Sequence, residues 1–553
     1  MLMIILNWIY ILFTCFSIGY VFSIFVKKSL HYSIKHLDSI LISGLVIANV
    51  YAQIFSLFGG VSTLANGIMI VGCIVACIAA GRQMAAFLRD VWKSCPLSCR
   101  ILIPFLFLLW SYFTSRGYMV TDADLYHGQS IRWIEEYGVI KGLGNLHMRF
   151  GYNSSFFALS ALYSMKFLLG RSLHAVNGFI AFLLSTVLLD LHKCFRRRKM
   201  LLSDYARIGA VYYLSTIWDE IIAPSSDYAV MCVIFYIVIK WLMQLEEEDR
   251  EQRDNIAPYA LLCVVAAYAL TLKVTAGLIL LLLVWPAYRL LVKKRWKEIG
   301  IYLFLGLIVS VPWFVRTVII TGWLLYPFPG VDLFQVDWKM PETILSIDAF
   351  YIRAWGRGIN QLPYGSELSG WIPNWFLNEL SFTEKLLILG DIFSCAATMW
   401  MTIVAVIKRR WEKLDILLVL VTMSACYLFW QCNAPMPRYG YSYMLLLVSL
   451  TVGYIVEKTG ITRILYVFFC VYGIYKLYIC GDYIVASYRE PNYVWQCTYS
   501  EGGRESCEVD GVVFYYSLSG QLPGYDPFPA VIGQPPFEFE LRGESLKDGL
   551  RYK

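Results

Sequence analysis

Charged residues are scarce in this sequence. Asp, Glu, Lys and Arg make up 16% of the 553 residues, whereas roughly a quarter is usual in a soluble domain. Hydrophobic residues reach 58% and aromatic residues 16%, a mixture typical of a chain that crosses a membrane several times. The net charge of +7 includes no basic run interleaved with aromatics, so no nucleic-acid partner is expected.

The short motifs of several enzyme classes are also absent. The chain has no G-x-x-x-x-G-K-[ST], no H-E-x-x-H and no G-x-S-x-G, so ATP-driven transport, zinc proteolysis and serine hydrolysis have no support. No C-x-x-C pair occurs among the 15 cysteines, and most of them lie in apolar runs. Cys497 and Cys507 lie in a polar region, where a disulfide bond between them would require an oxidising compartment.

The apolar runs predict an all-α polytopic membrane protein with about 14 transmembrane helices. The predicted spans are 3–26, 39–57, 62–80, 100–115, 172–192, 205–218, 228–244, 258–271, 276–291, 298–317, 387–407, 414–431, 441–456 and 461–480. Basic residues follow the first and third spans, so we expect those loops inside and both termini outside. The 156–169 run is short and is expected in the outer interface or tucked against the bundle.

Three regions follow from this pattern. Residues 1–99 are N-terminal transmembrane helices, which we interpret as an added module. Residues 100–480 are expected to form the catalytic transmembrane region, with long outer loops at 116–155 and 318–385. Residues 481–553 are more polar and predict a small extracytoplasmic region with a strand near 511–517.

The 116–155 loop is a polar island between apolar runs, and long polar loops often carry function. Asp122 or Asp124 could take a proton from an acceptor hydroxyl, and His127 lies on the same helical face as Asp124. We add Tyr126 and Arg132 as substrate-binding candidates. The alternative is structural, because T-x-x-D is a helix-capping pattern and acids favour a first helical turn.

Further charges stand at the predicted outer ends of other spans. Asp227 belongs to the polar turn DEIIAPSSD, and acids at that depth are rare unless they face a wet cavity. Lys273, Arg316 and Arg438 each end an apolar run, where a cation suits a lipid phosphate. Snorkelling of these long side chains to lipid headgroups is the alternative.

Three segments resemble the GT-C superfamily of polytopic glycosyltransferases. These segments are TDADLYHGQSIRWI with its acids, PWFVRTVIITGWLLYPFPG at 312–330, and APMPRYGYSYM with its Arg-Tyr pair. The resemblance implies a GT-C-like bundle and inverting transfer of a sugar from a polyprenyl-phosphate donor to a glycan, lipid or protein acceptor. Asp124 or Asp122 would be the base, and Arg316, Arg438 and Lys273 would hold the lipid phosphate.

The resemblance leaves several points open. It implies a bacterial inner (plasma) membrane and synthesis of a cell-envelope glycan, but no cofactor is certain and a divalent metal remains open. A flippase or transporter of lipid-linked saccharides is one rival, which predicts two related halves and charges within the spans. A polysaccharide polymerase or ligase is another, since it would share the outer-face layout.

Overall fold

The computed structural model describes residues 1–197, 199–360, 362–409, 414–456, 462–489, 493–499, 503–517 and 522–553. Most of these residues are helical. Among them, ten helices are long and apolar enough, by length and composition, to cross a membrane. The predicted polytopic all-α class is confirmed at this level.

The α-helices are numbered here in chain order. They are α1 Leu2–Leu30, α2 Leu37–Ser56, α3 Thr63–Ser94, α4 Leu97–Ser115, α5 Gly128–Glu136, α6 Ser155–Tyr163, α7 Lys166–Leu169, α8 Val176–Leu188, α9 Lys193–Arg197, α10 Leu202–Leu214, α11 Ser226–Leu245, α12 Arg250–Arg253, α13 Ala257–Leu272, α14 Val284–Val292, α15 Trp296–Thr321, α16 Glu342–Gly356, α17 Trp371–Asn374, α18 Phe382–Ile407, α19 Leu414–Asn433, α20 Tyr441–Val456 and α21 Thr462–Ser487. Two π-helices, Ala123–His127 and Trp375–Glu379, and several 3-10 segments, the longest Val274–Leu283, lie between them.

The predicted number of crossings is matched only in part. The ten candidate spans are Leu2–Leu30, Leu37–Ser56, Thr63–Ser94, Leu97–Ser115, Ser226–Leu245, Glu251–Leu272, Val274–Val292, Trp296–Thr321, Phe382–Ile407 and Asp415–Asn433. The spans predicted at 172–192, 205–218 and 441–456 correspond to the shorter helices α8, α10 and α20. At 1.5 Å per residue, the 13 residues of α10 extend about 20 Å, which is less than a hydrocarbon layer of about 30 Å.

The apolar run at 156–169 is tucked against the bundle, as one of the two alternatives predicted. Every residue of α6 is buried. Its first residue, Ser155, shares a hydrogen bond of 2.9 Å with Thr271 Oγ1 at the end of α13, and the Asn49 amide on α2 donates to Ser155 Oγ at 3.5 Å. The first part of the run is therefore core, whereas α7 at its end leaves Phe167 and Leu168 exposed.

The loops and both chain termini gather at one end of the bundle. The amino group of Met1 donates to the carbonyl of Trp495 at 3.2 Å. In the long 116–155 loop, which we call the first loop, the Tyr118 N–H donates to the Asp219 carbonyl at 3.3 Å. We call this end, which also carries Asp122 and the described tail residues 493–499, 503–517 and 522–553, the site end. The 31–36 connection lies at the other end of the 29-residue helix α1, and we call that the opposite end.

The C-terminal tail adds two small sheets. Strands β1 Arg504–Val509, β2 Val512–Ser517 and β3 Ala530–Val531 form one sheet, with β1 and β2 antiparallel and β2 and β3 parallel; β4 Phe539–Leu541 and β5 Leu550–Tyr552 form an antiparallel pair. β2 confirms the strand predicted near 511–517. No disulfide bond joins Cys497 and Cys507.

The tail packs onto the first loop and shares one hydrophobic core with it. Trp133 and Leu143 of the loop lie in the same buried cluster as Phe514 and Leu550 of the tail. Gly142 has a φ of 65° and leaves no room for a Cβ, which would stand 2.0 Å from the Leu550 carbonyl oxygen, so glycine permits both the turn and the close approach. The tail is a cover of the first loop.

Candidate functional site

The first loop begins with a widened helix that positions its acids. Asp122 precedes the π-helix Ala123–His127, which continues directly into α5. No side chain caps the start of this segment. The capping hydrogen bond of the structural alternative is therefore missing, although Asp124 does lie in a first helical turn as that alternative expected.

Four charged side chains from four separate segments form an ion-pair cluster at the site end. Arg438, in the 3-10 turn Pro437–Tyr439 before α20, donates to the Asp122 carboxylate. The Nε of Arg438 also lies 3.7 Å from Oδ2 of Asp227, in the first turn of α11. Lys273, which ends α13, donates to Oδ1 of Asp227. We call Asp122, Asp227, Lys273 and Arg438 the charge cluster.

Tyr439 supports both cations of the charge cluster. The Lys273 ammonium lies 3.5 Å from the centroid of the Tyr439 ring, a cation–π contact. Arg438 donates to the Tyr439 hydroxyl at 2.9 Å. Arg438 and Tyr439, the Arg-Tyr pair of APMPRYGYSYM, thus act together, because the Tyr439 side chain contacts both Lys273 and Arg438.

The Asp122 carboxylate is kept ionised by its neighbours, and part of its side chain is exposed. Burial alone would raise the pKa of Asp122, but the Arg438 guanidinium lowers it below its ordinary value. Burial alone would lower the pKa of Arg438, whereas Tyr439, Asp227 and Asp122 raise it. The side chains of Asp122 and Arg438 are 25% and 33% exposed, so the pair can be reached by a ligand from the site end.

His127 lies within the electrostatic reach of the charge cluster, and neither it nor Asp124 joins the cluster's ion pairs. Burial raises the pKa of Asp124 to about 6, its Oδ1 has no hydrogen-bond partner within the described chain, and its backbone carbonyl accepts from Gly524 of the tail at 2.8 Å. Burial lowers the pKa of His127 to about 4. His127 is therefore a neutral imidazole at neutral pH, with Asp122 and Asp227 as its nearest acidic influences.

A second buried ion pair adjoins the first through Tyr126. Arg149 in the first loop lies 3.5 Å from Oδ1 of Asp348 on α16, and the Tyr152 hydroxyl donates to the same carboxylate. Tyr126 packs 6.1 Å from the Tyr152 ring, centroid to centroid. Asp348 has no exposed surface, and burial, the largest influence, raises its pKa. This pair holds the second long loop against the first.

Besides Tyr126, two further predicted binding residues, Arg132 and Arg316, lie outside the charge cluster. Arg132 donates to the Tyr525 carbonyl at 3.0 Å and to Asp526, both in the tail. Arg316 is only 1% exposed; its Nε donates to Asn153 Oδ1 at 3.0 Å, and another nitrogen donates to Ser56. Arg132 thus anchors the tail, and Arg316 ties α15 to α2 and the first loop.

Sequence reasoning singled out each member of the charge cluster but missed Asp348. Asp227, Lys273 and Arg438 each interrupt or border an apolar run, and Asp122 belongs to the polar 116–155 island; both are visible signals. Asp348 offers a weaker one, a lone acid in the apolar stretch ILSIDAFYI. Among the residues that the structure describes, no group of three His, Cys, Asp or Glu side chains is arranged to hold a metal ion.

Fold and site together define the class, and comparison defines the family. A mostly helical chain with ten candidate spans and a charge cluster at one end has the architecture of a multi-pass membrane protein. The chain belongs to the family described as a domain of unknown function (DUF8201), which matches residues 1–445. That match includes all four residues of the charge cluster. No curated protein and no solved structure matches the chain.

Proposed function

We propose that this protein is a membrane glycosyltransferase of the GT-C type, which moves a sugar from a polyprenyl-phosphate donor to a glycan, lipid or protein acceptor at the site end. The observation that carries the proposal is the meeting of two cations and two carboxylates from four distant segments. Ionisable groups at helix ends that face one another and not lipid mark binding sites for charged ligands. The GT-C resemblance of the segments holding Asp122 and Arg438 supplies the reaction class.

The cations are suited to the phosphate of the donor. The planar guanidinium of Arg438 can hold two phosphate oxygens, and Lys273 adds a compact charge beside it. Arg438 donates a hydrogen bond to Asp122. A phosphate on Arg438 would compete with this pair, so donor binding would release the Asp122 carboxylate.

The Asp122 carboxylate is then in position to act as the general base. As the acceptor oxygen bonds to the anomeric carbon, Asp122 takes the hydroxyl proton, and the bond from that carbon to the phosphate oxygen breaks. The leaving polyprenyl phosphate keeps the electron pair, and Arg438 and Lys273 offset its charge. General-base catalysis of this kind contributes roughly 10²–10⁴ in rate.

A flippase for lipid-linked saccharides is a second candidate, and one observation favours it. Asp391 has no exposed surface, and neither carboxylate oxygen has a hydrogen-bond partner among the described residues. It lies in the candidate span α18, about 14 Å from the start of that helix at 1.5 Å per residue. Intramembrane acids of this kind occur on the ion and proton pathways of transporters.

Vesicles of defined sidedness separate the two functions. Wild type and Asp122→Asn would each receive a panel of radiolabelled polyprenyl-phosphate sugars with a mixed acceptor fraction. The transferase proposal expects covalent transfer of label by wild type and a loss of about 10²–10⁴ in the variant. Asp332→Asn, which alters an acid paired with Lys339 in the second outer loop, is the matched control. Label that only changes leaflet, equally in both proteins, would establish the flippase instead.

A further inference from the structure

A cavity lies at the opposite end of the bundle. Its volume is about 460 Å³, within the range of roughly 300–1,000 Å³ usual for small-molecule sites. It opens beside the 31–36 connection and is enclosed by α1, α2, α11, α13 and α15. Lys240 on its wall is about 20 Å along α11 from Asp227 of the charge cluster. The cavity is therefore separate from the proposed transfer site.

The deep part of this cavity is apolar. On α2, Ile42, Val46 and Val50 line it, and across from them lie Leu305 and Val309 of α15. The lining of α2 runs from Ser39 to Val50, which spans about 17 Å of helix. That depth is about half of a hydrocarbon layer, so a flexible hydrocarbon chain fits the cavity better than a polar solute.

The rim of the cavity is polar and carries an uncommitted cation. Lys240 is paired with Asp38 at 2.7 Å, and Tyr236 donates to Ser39 Oγ at 3.1 Å, so the inner polar groups have partners. Lys35 is exposed on the rim and makes no ion pair with any residue that the structure describes.

Other polar groups complete the rim. His36 lines the mouth beside Lys35. Gln244 comes from the last turn of α11, and Asn255 and one acid, Glu247, come from the segments after it. One side of the mouth thus offers a free ammonium and an imidazole, and the other offers mainly amides. An anionic head group would be held on the Lys35 side.

We propose that this cavity binds a phosphate-bearing amphiphile, with its phosphate at Lys35 and His36 and its hydrocarbon chain between α2 and α15. A membrane phospholipid and a polyprenyl phosphate share this chemistry. The inference does not depend on the proposed transferase reaction, because none of the cavity residues belongs to the charge cluster.

Lipid binding to the detergent-purified full chain tests the proposal. The probes are radiolabelled phosphatidylglycerol, polyprenyl phosphate and phosphate-free diacylglycerol. Ile47→Trp fills the apolar part from α2, and Ser43→Leu, one helical turn away, is the milder filling variant should the first not fold. Lys35→Ala removes the rim cation. Lys28→Ala, an exposed lysine at the end of α1 that does not line the cavity, is the matched control.

The expected result is saturable binding of at least one phosphate-bearing probe to wild type. A folded filling variant should lose at least tenfold in affinity, Lys35→Ala should lose several-fold, and Lys28→Ala should match wild type. The probe bound more tightly identifies the source as bulk membrane lipid or isoprenoid carrier. Equal binding of diacylglycerol, or unchanged binding by a folded filling variant, would overturn the proposal.

Discussion

Arg438 donates a hydrogen bond to the carboxylate of Asp122, although the two residues stand 316 positions apart in the sequence. The same guanidinium lies 3.7 Å from Asp227, so it joins acids from the first loop and from the start of α11. A ligand that binds Arg438 must therefore compete with Asp122. Binding of an anion and release of a carboxylate are coupled by this geometry.

The pH profile of transfer distinguishes the two loop acids. Arg438 holds the pKa of Asp122 below its ordinary value despite burial, whereas burial raises the pKa of Asp124 to about 6. With Asp122 as base, we expect the initial transfer rate to stay flat from pH 5.5 to pH 7.5. A rate that instead rises with pH through about 6, and loses that rise in Asp124→Asn, would assign the base to Asp124.

Asp124 also predicts a pH-dependent stability difference. Its folded pKa of about 6 lies above the ordinary value of 3.8, so the folded state favours the protonated carboxyl. Wild type should lose stability as pH rises through this window. Asn, which mimics the protonated form, avoids that loss. We expect the thermal midpoint of Asp124→Asn minus that of wild type to grow between pH 4 and pH 7; a constant difference would contradict the shift.

The charged residues show how far sequence alone can predict this site. Asp227, Lys273 and Arg438 were visible as charges beside apolar runs, and Asp122 as part of a polar loop between such runs, because charge near a membrane span requires compensation. Their meeting could not be predicted, since it depends on how the helices that carry them pack.

The dependence on helix packing also explains why two predicted binding residues lie outside the charge cluster. Arg316 has the same sequence signal as Arg438, yet it lies buried against Ser56 and Asn153. Arg132 was read within the first loop alone, and its partners are in the tail, nearly four hundred positions away. Local composition predicts which segments form helices. Which side chains then contact one another depends on packing between distant segments.

The second ion pair predicts a large loss of stability on removing one partner. Asp348 is fully buried and Arg149 is 8% exposed, so Arg149→Met leaves a buried carboxylate without its cation. Such a change typically costs about 3–5 kcal/mol. Asp348→Asn in the Arg149→Met background should recover much of the loss by removing the charge.

The matched control is Arg353→Met, at an exposed arginine on α16. It should change stability by less than about 0.5 kcal/mol. Denaturant unfolding in detergent measures all four proteins.

Exchanging the two charges separates a structural role of the Asp122–Arg438 pair from a catalytic one. Asp122→Arg should be unstable because it places two guanidinium groups together beside Lys273, and Arg438→Asp should be unstable because it gathers three carboxylates. The double variant restores opposite charges at the same two positions, so we expect its thermal midpoint to exceed that of either single variant.

Transfer activity should not return in the exchanged protein. The carboxylate would then stand beside Tyr439, where the phosphate should bind, and the guanidinium would occupy the position of the base in the first loop. Stability and activity would thus separate, which a pair that only links α20 to the first loop cannot produce. Full transfer activity in the double variant would show that the pair is structural and that the base lies elsewhere.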